Sequence, residues 1–240
     1  MKQPRLRVMT YNIRSGRGAD DRIDLARISD VIGSYRPDVV ALQEVDCGRV
    51  RSGSVDQASE LAERLEMAAS YAPCIEEGGQ RYGIATLTRL PIVESRQVGL
   101  PHAANAPRSE PRCALLTRVP WGDGRTIDVV NTHLSVLRRE RPAQVAAIGA
   151  ALAERDLVLA GDLNCTSFSG AFRALRAGLR SATRRARSWP AWMPIVQIDH
   201  ILYRGPLVVV SAGAWTAGPA RRASDHLPVV AELALEESAA

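Results

Sequence analysis

Ser224-Asp225-His226-Leu227-Pro228-Val229-Val230, close to the C-terminus, sets an acid beside an imidazole just before an apolar, β-branched run. An Asp-His pair alone is common. Five further polar clusters give it weight, each attached to a strand-like apolar run. They are Thr10-Tyr11-Asn12-Ile13-Arg14, Leu42-Gln43-Glu44-Val45, Asn131-Thr132-His133-Leu134, Ala160-Gly161-Asp162-Leu163-Asn164 and Gln197-Ile198-Asp199-His200-Ile201-Leu202. Polar groups that interrupt or end buried strands cost free energy unless they are satisfied. Their number in one chain points to strand ends that converge on a single site.

Working outward, strand patterns rich in Val, Ile, Leu and Thr fall at 6–13, 39–45, 83–88, 92–98, 114–119, 126–133, 157–160, 196–202, 207–214 and 228–233. Helical periodicity falls at 24–34, 56–68, 139–154 and 168–177, with Asp24 and Asp56 as N-caps and Gly33 and Gly178 as stops. Trp121-Gly122-Asp123-Gly124 reads as a hairpin turn between two strands. Many strands with a few interspersed helices predict an α+β layering. No Pro/Gly/Ser-rich linker divides the chain and both halves supply polar clusters, so residues 1–240 are read as one domain.

The 240 residues are 46% hydrophobic, enough for a substantial core, and no stretch has the length of apolar sequence that spans a bilayer. The N-terminus lacks an apolar segment of signal-peptide type, so a cytoplasmic location is expected. Cys47, Cys74, Cys113 and Cys165 form no C-x-x-C pair, which argues against structural zinc, and a disulfide framework is not expected. The net charge is +5, and Lys2 is the only lysine among 31 basic residues. Coding bias accounts for such a preference, and so does phosphate recognition, because the planar guanidinium fork binds oxygens in pairs.

Taken together and in this order, the clusters resemble the endonuclease/exonuclease/phosphatase superfamily, which includes pancreatic-type deoxyribonuclease and exonuclease III-like nucleases. The resemblance runs from about Val8 to Val230. It implies a four-layer αββα sandwich, two mostly antiparallel sheets flanked by helices, with the site at one end. It also implies that Asn12 and Glu44 hold a metal with Asp225 nearby. A hard Mg²⁺, for which Mn²⁺ can substitute, suits such oxygen donors. By the same resemblance Asp162 orients or deprotonates the attacking water and Asn164 holds a phosphate oxygen. Being two residues apart on an extended segment, they would point the same way. His133 and His226 flank the scissile phosphate, and Asp199 orients His226. Arg14, Tyr82 and Arg112 match substrate-binding positions. Arg14 stands as in the deoxyribonuclease branch; repair nucleases often carry an acid there, so abasic-site cleavage and a second strong metal site are not expected. His102 and His200 are read as structural.

The expected reaction is metal-assisted hydrolysis of a phosphodiester, with nucleic acid as the leading substrate. Phosphatase or phospholipase-type action on small or lipid-borne phosphates is the alternative, and an inactive phosphate- or nucleic-acid-binding module the reading from another class. Between Arg173 and Arg187 six arginines precede Trp189-Pro190-Ala191-Trp192. Such a stretch serves nucleic acid or an anionic lipid surface if exposed, and is a solvated helix with core tryptophans if not. No protein partner is inferable.

Overall fold

A computed structural model describes residues 4–122 and 124–236. Two six-stranded sheets face each other. The first runs in the order β11-β12-β1-β2-β4-β3, from Leu207–Ala214, Val229–Leu235, Arg5–Asn12, Val39–Cys47, Gln80–Thr88 and Ala68–Glu77. The second runs β5-β6-β7-β8-β10-β9, from Glu94–Leu100, Arg112–Pro120, Thr126–His133, Leu157–Asp162, Asp199–Arg204 and Arg180–Ser181. Each sheet has one parallel pair, β1 with β2 and β7 with β8; its other pairings are antiparallel. A parallel pair needs a crossover, and helices α1 (Leu25–Tyr35) and α3 (Arg141–Ala151) supply the two.

Alternation along the inner strands builds the layers. On β1 and β2, Met9, Tyr11, Val40 and Leu42 pack against α1 and α2 (Gln57–Leu65). Their neighbours Val8, Val39 and Ala41 meet Ile127, Val129, Val158 and Ala160 of the other sheet. Leu116, Val130 and Leu159 face outward to α3 and α4 (Gly170–Arg176). Strands buried on both faces must read as continuous apolar runs, and these do. The expected four-layer sandwich is therefore the observed one.

Where the two sheets meet, a polar bridge crosses the core. Gln43 Nε2 donates to Asn131 Oδ1 at 2.9 Å, and Asn131 Nδ2 donates to the carbonyls of Leu42 and Ala85 at 3.0 and 2.8 Å. Thr10 Oγ1 donates to Gln43 Oε1 at 3.3 Å, and all three side chains are buried. Amides satisfied in this way fix one arrangement of the layers, because any slide strands them without partners.

Several elements differ from the sequence reading. Asp24 and Asp56 cap their helices, accepting from the Arg27 and Ser59 N–H groups. Gly33 does not stop α1; the helix ends when Arg36 turns left-handed at φ 55°. Helix α2 ends at Leu65 with Glu66 left-handed at φ 54°, and the unpredicted β3 follows. Its small, polar residues lack the β-branched signal, since it is an edge strand with much of its surface exposed. Two short elements, β9 and α5 (Ala220–Ala223), are likewise unpredicted. The tip of the predicted hairpin at Asp123 lies outside the described residues, although β6 and β7 pair antiparallel around it.

The expectation of no disulfide fails. Cys74 bonds to Cys113 with their Cα atoms 5.7 Å apart, inside the usual range. A bulge between Pro73 and Ile75 leaves Cys74 without a partner on β4, and Gly83 makes room for it: a Cβ there would lie 2.0 Å from the Ala72 carbonyl. The bond ties edge strand β3 to β6 of the other sheet.

Candidate active site

The topology places the polar clusters. Asn12 ends β1, and His133 and Asp162 end β7 and β8, so the site forms at the carboxyl ends of the parallel pairs. Asp199 opens β10 directly opposite Asp162, and His226 lies just before β12. Ser224 Oγ donates to the Asn12 carbonyl at 2.8 Å, pinning the Ser224-Asp225-His226 segment to the end of β1.

Glu44 does not end a strand. It sits within β2 at a bulge between Gln43 and Val45, with φ 58°. A bulge re-aims its residue out of the ladder. A left-handed backbone at a non-glycine residue costs about 1–3 kcal/mol, a strain typical of functional positions. Asn164 is similar: at φ 48° it lies past the end of β8, not on an extended segment. Its N–H donates to Asp162 Oδ1 at 2.8 Å, so a side-chain turn rather than strand alternation brings the two together.

Asn12 Nδ2 joins the halves, donating to Glu44 Oε1 at 2.9 Å and Asp162 Oδ2 at 3.1 Å. Its Oδ1 accepts from the Arg14 N–H at 3.1 Å and keeps a second lone pair. Burial raises the pKa of Glu44, and the Asn12 amide works against that rise.

His226 Nδ1 donates to Asp199 Oδ2 at 2.9 Å, which turns Nε2 toward Asp162 Oδ2, 3.8 Å away. Burial disfavours the imidazolium, but the surrounding carboxylates of Asp199, Asp162 and Asp225 prevail and push its pKa up to about 10. Burial and the nearby Asp199 carboxylate push Asp162 up to about 7. His133 behaves oppositely. Burial, then Arg112 and His226, hold it well below the usual range, so it is neutral. Arg112 Nη1, which can only donate, lies 3.1 Å from His133 Nδ1. Asn164 Nδ2, also a donor, lies 3.0 Å from His133 Nε2, with Asp162 Oδ2 3.5 Å away, and the neutral ring accepts from only one of Arg112 and Asn164.

The structure thus brings Asn12, Glu44, His133, Asp162, Asn164, Asp199 and His226 together. Asp225 stands beside them, its charge acting on both Glu44 and His226. Arg14, Tyr82 and Arg112 line one cavity with Glu44. His200 is structural as expected: buried, its Nε2 2.9 Å from the Cys165 carbonyl, against Phe172. The tryptophans are not core, since Trp189 is 40% and Trp192 66% exposed. Sequence reasoning missed Asp46, Arg49, Arg51 and Phe168; only Asp46, two residues beyond Glu44, left a detectable signal.

The donors fit a hard divalent cation. Glu44 and Asp162 meet on one amide, neither bears an arginine partner among the described residues, and Asp225 adds charge. Asp162, Asp199 and His226 also have donor atoms within 4.8 Å of one another, with Asp199 Oδ1 buried and unpartnered. The direct His226–Asp199 hydrogen bond makes this second trio a proton-holding network.

Such a two-sheet sandwich with acids and imidazoles at one end is that of a phosphoester hydrolase. Residues 9–226 match the Endonuclease/Exonuclease/phosphatase family; the chain belongs to it, and its members are hydrolases acting on ester bonds. An endonuclease/exonuclease/phosphatase structure from Beutenbergia cavernae is 26% identical, with TM-score 0.80 over 98% of this chain and 72% of that one. The human Nocturnin catalytic domain with bound sulfate is 21% identical (TM-score 0.76; 97% and 95% covered). A mannosyl-6-phosphatase of Bacteroides thetaiotaomicron is 18% identical (TM-score 0.74; 96% and 100% covered). No curated relative matches the sequence. No helix among the described residues is long and apolar enough to cross a membrane.

Proposed function

We propose that this protein is a Mg²⁺-dependent phosphodiesterase acting on nucleic acid. The observation that carries the reading is the chain of contacts, three hydrogen bonds and the 3.8 Å Asp162–His226 ion pair, that links Glu44, Asn12, Asp162, His226 and Asp199 at the sheet ends. Glu44, Asn12 and Asp225 would hold the cation, which would polarise the phosphoryl oxygens and steady the leaving oxygen. Asp162, aimed by the Asn12 and Asn164 N–H groups, positions the attacking water and takes its proton. The His226 imidazolium, held by Asp199, and the His133 ring donate to phosphoryl oxygens as charge develops. These donors are fixed before the reaction, so no reorganisation is spent on them.

The choice of nucleic acid rests on the other wall of the site. Asn164 and His226 open into a cavity of about 640 Å³ shared with Phe168, Trp189, Arg138 and Arg141. Phe168 is 85% exposed. Exposed aromatic faces beside guanidinium groups stack bases and grip the backbone.

The test offers purified protein plasmid DNA, RNA, bis-p-nitrophenyl phosphate, inositol phosphates and phospholipid vesicles, with Mg²⁺, Mn²⁺ or EDTA. Nucleic acid should be cleaved only with metal, and Glu44→Gln should lower the rate at least about 100-fold, because the cation that Glu44 would hold supplies several kcal/mol of charge stabilisation. Metal-independent turnover, or a preference for inositol phosphates or phospholipid, overturns the reading.

A further inference from the structure

On the Glu44 side the site continues into a cavity of about 620 Å³. Thirteen residues line it, and six are arginines. Arginine makes up about one residue in eight of the chain, so composition alone would place one or two there. They face only two lining carboxylates, Glu44 and Glu110. Three separate segments bring them in: the turn after β1 with Arg14 and Arg17, the loop after β2 with Arg49 and Arg51, and the loop running into β6 with Arg108 and Arg112.

Two of the guanidinium groups are held in place. Asp46, fully buried beneath them, accepts from Arg51 Nε at 2.8 Å and Nη2 at 2.7 Å, and Arg49 Nε lies 3.9 Å from the same carboxylate. Arg49 and Arg51 lie over the Tyr82 ring, 5.7 and 5.3 Å from its centroid. Among the described residues Arg14 and Arg108 have no carboxylate partner. The loop that carries Arg108 is anchored as well: Glu140 accepts from the Ala103 N–H at 3.0 Å and from Ser109 Oγ at 2.6 Å. Arg17 and Arg112 pair with Asp21 and Glu110, each at 3.0 Å, so the guanidinium groups still outnumber the carboxylates that reach them, and such an excess of positive charge is arranged for an anion.

We infer that this cavity is a second anion subsite, and that the substrate carries a second phosphate beyond the scissile one on the side of Glu44. The inference rests on the proposed phosphodiesterase reading and narrows its substrate class. Scissile phosphate sits among His133, Asp162 and His226; the second phosphate takes Arg49 and Arg108, with Arg14 between the two. The second phosphate is either the next diester of an oligonucleotide or a free phosphomonoester on the same nucleotide.

The test compares wild type with Arg49→Gln/Arg108→Gln. Substrates are bis-p-nitrophenyl phosphate, which has one phosphate, a dinucleoside monophosphate, the same dinucleotide bearing a terminal phosphate, and a tetranucleotide. In the double variant KM for the two multiply phosphorylated substrates should rise about 10–100-fold, as expected for two lost charge-assisted contacts. The single-phosphate substrates should lose less than about threefold. Arg49→Lys/Arg108→Lys, which retains the charge, should recover part of the loss. Preference for the tetranucleotide over the phosphorylated dinucleotide assigns the subsite to a chain phosphate, and the reverse to a free one; both support it. Equal losses on all four substrates, with an unchanged melting temperature, overturn the subsite. Wild-type protein that cleaves none of them with any divalent cation overturns the phosphodiesterase reading instead, so the two failures are distinct.

Discussion

Asp162→Asn should lower kcat about 10²–10⁴-fold in a protein that still folds. The side chain is 1% exposed and every oxygen is engaged. Oδ1 accepts from the Asn164 N–H, while Oδ2 accepts from Asn12 and faces both histidines. An amide in its place keeps the shape but sets a donor against the Asn12 donor and removes the proposed base. The pH profile carries the same assignment. Asp162, raised to about 7, ionises as pH climbs, and His226, raised to about 10, stays protonated until pH passes that value. Ionised carboxylate and imidazolium coexist between these limits, so kcat/KM should rise on the acid side near 7 and fall near 10; both limbs belong to the coupled cluster. Asp199→Asn removes the carboxylate hydrogen-bonded to His226 Nδ1 and should move the alkaline limb to lower pH. A variant at position 162 that retains most of its turnover, or a limb that ignores Asp199→Asn, would remove these residues from the chemistry.

Gly161→Ala should cost more than about 4 kcal/mol, the range reserved for a specific structural break. Gly161 pairs with Thr132 in the parallel ladder of β8 and β7. A Cβ at this position would lie 2.0 Å from the Thr132 carbonyl oxygen, a backbone atom that no rotamer change can move. The strands must separate, and His133 and Asp162, next in register, separate with them. Gly178→Ala is the control, because a Cβ there meets nothing within 4 Å. Urea unfolding of the two variants decides the matter; equal midpoints would show that the ladder yields more easily than the geometry allows.

Gly161 also shows where sequence reading stops. In Gly161-Asp162-Leu163-Asn164 a glycine before an acid reads equally well as a turn. Its role, close approach between strands, needs the neighbour's coordinates. The inner strands were legible because burial on both faces forces apolar runs, as in Val39-Val40-Ala41-Leu42. Strand β3 was not, because half of Ala68–Glu77 faces solvent and its register is set by Gly83 and a bulge. The acids and imidazoles of the site were legible through the motif each closes. Arg49, Arg51 and Arg108 were not, because only the folded chain draws loops 50 or more residues apart around one cavity, and abundant arginine hid them. The disulfide was missed for a related reason: two cysteines 39 residues apart carry no local pattern.

The polar bridge of Thr10, Gln43 and Asn131 has a consequence for inactivation. Glu44 and Asn12 ride on one half of the molecule, His133, Asp162 and Asp199 on the other, and this buried amide latch lies one residue from Glu44 and two from Asn12 and His133. Catalytic alignment therefore gauges how the halves are keyed together. Warming that loosens the latch should silence the enzyme while most of its strands are still intact, so lost activity serves as an early alarm of unfolding.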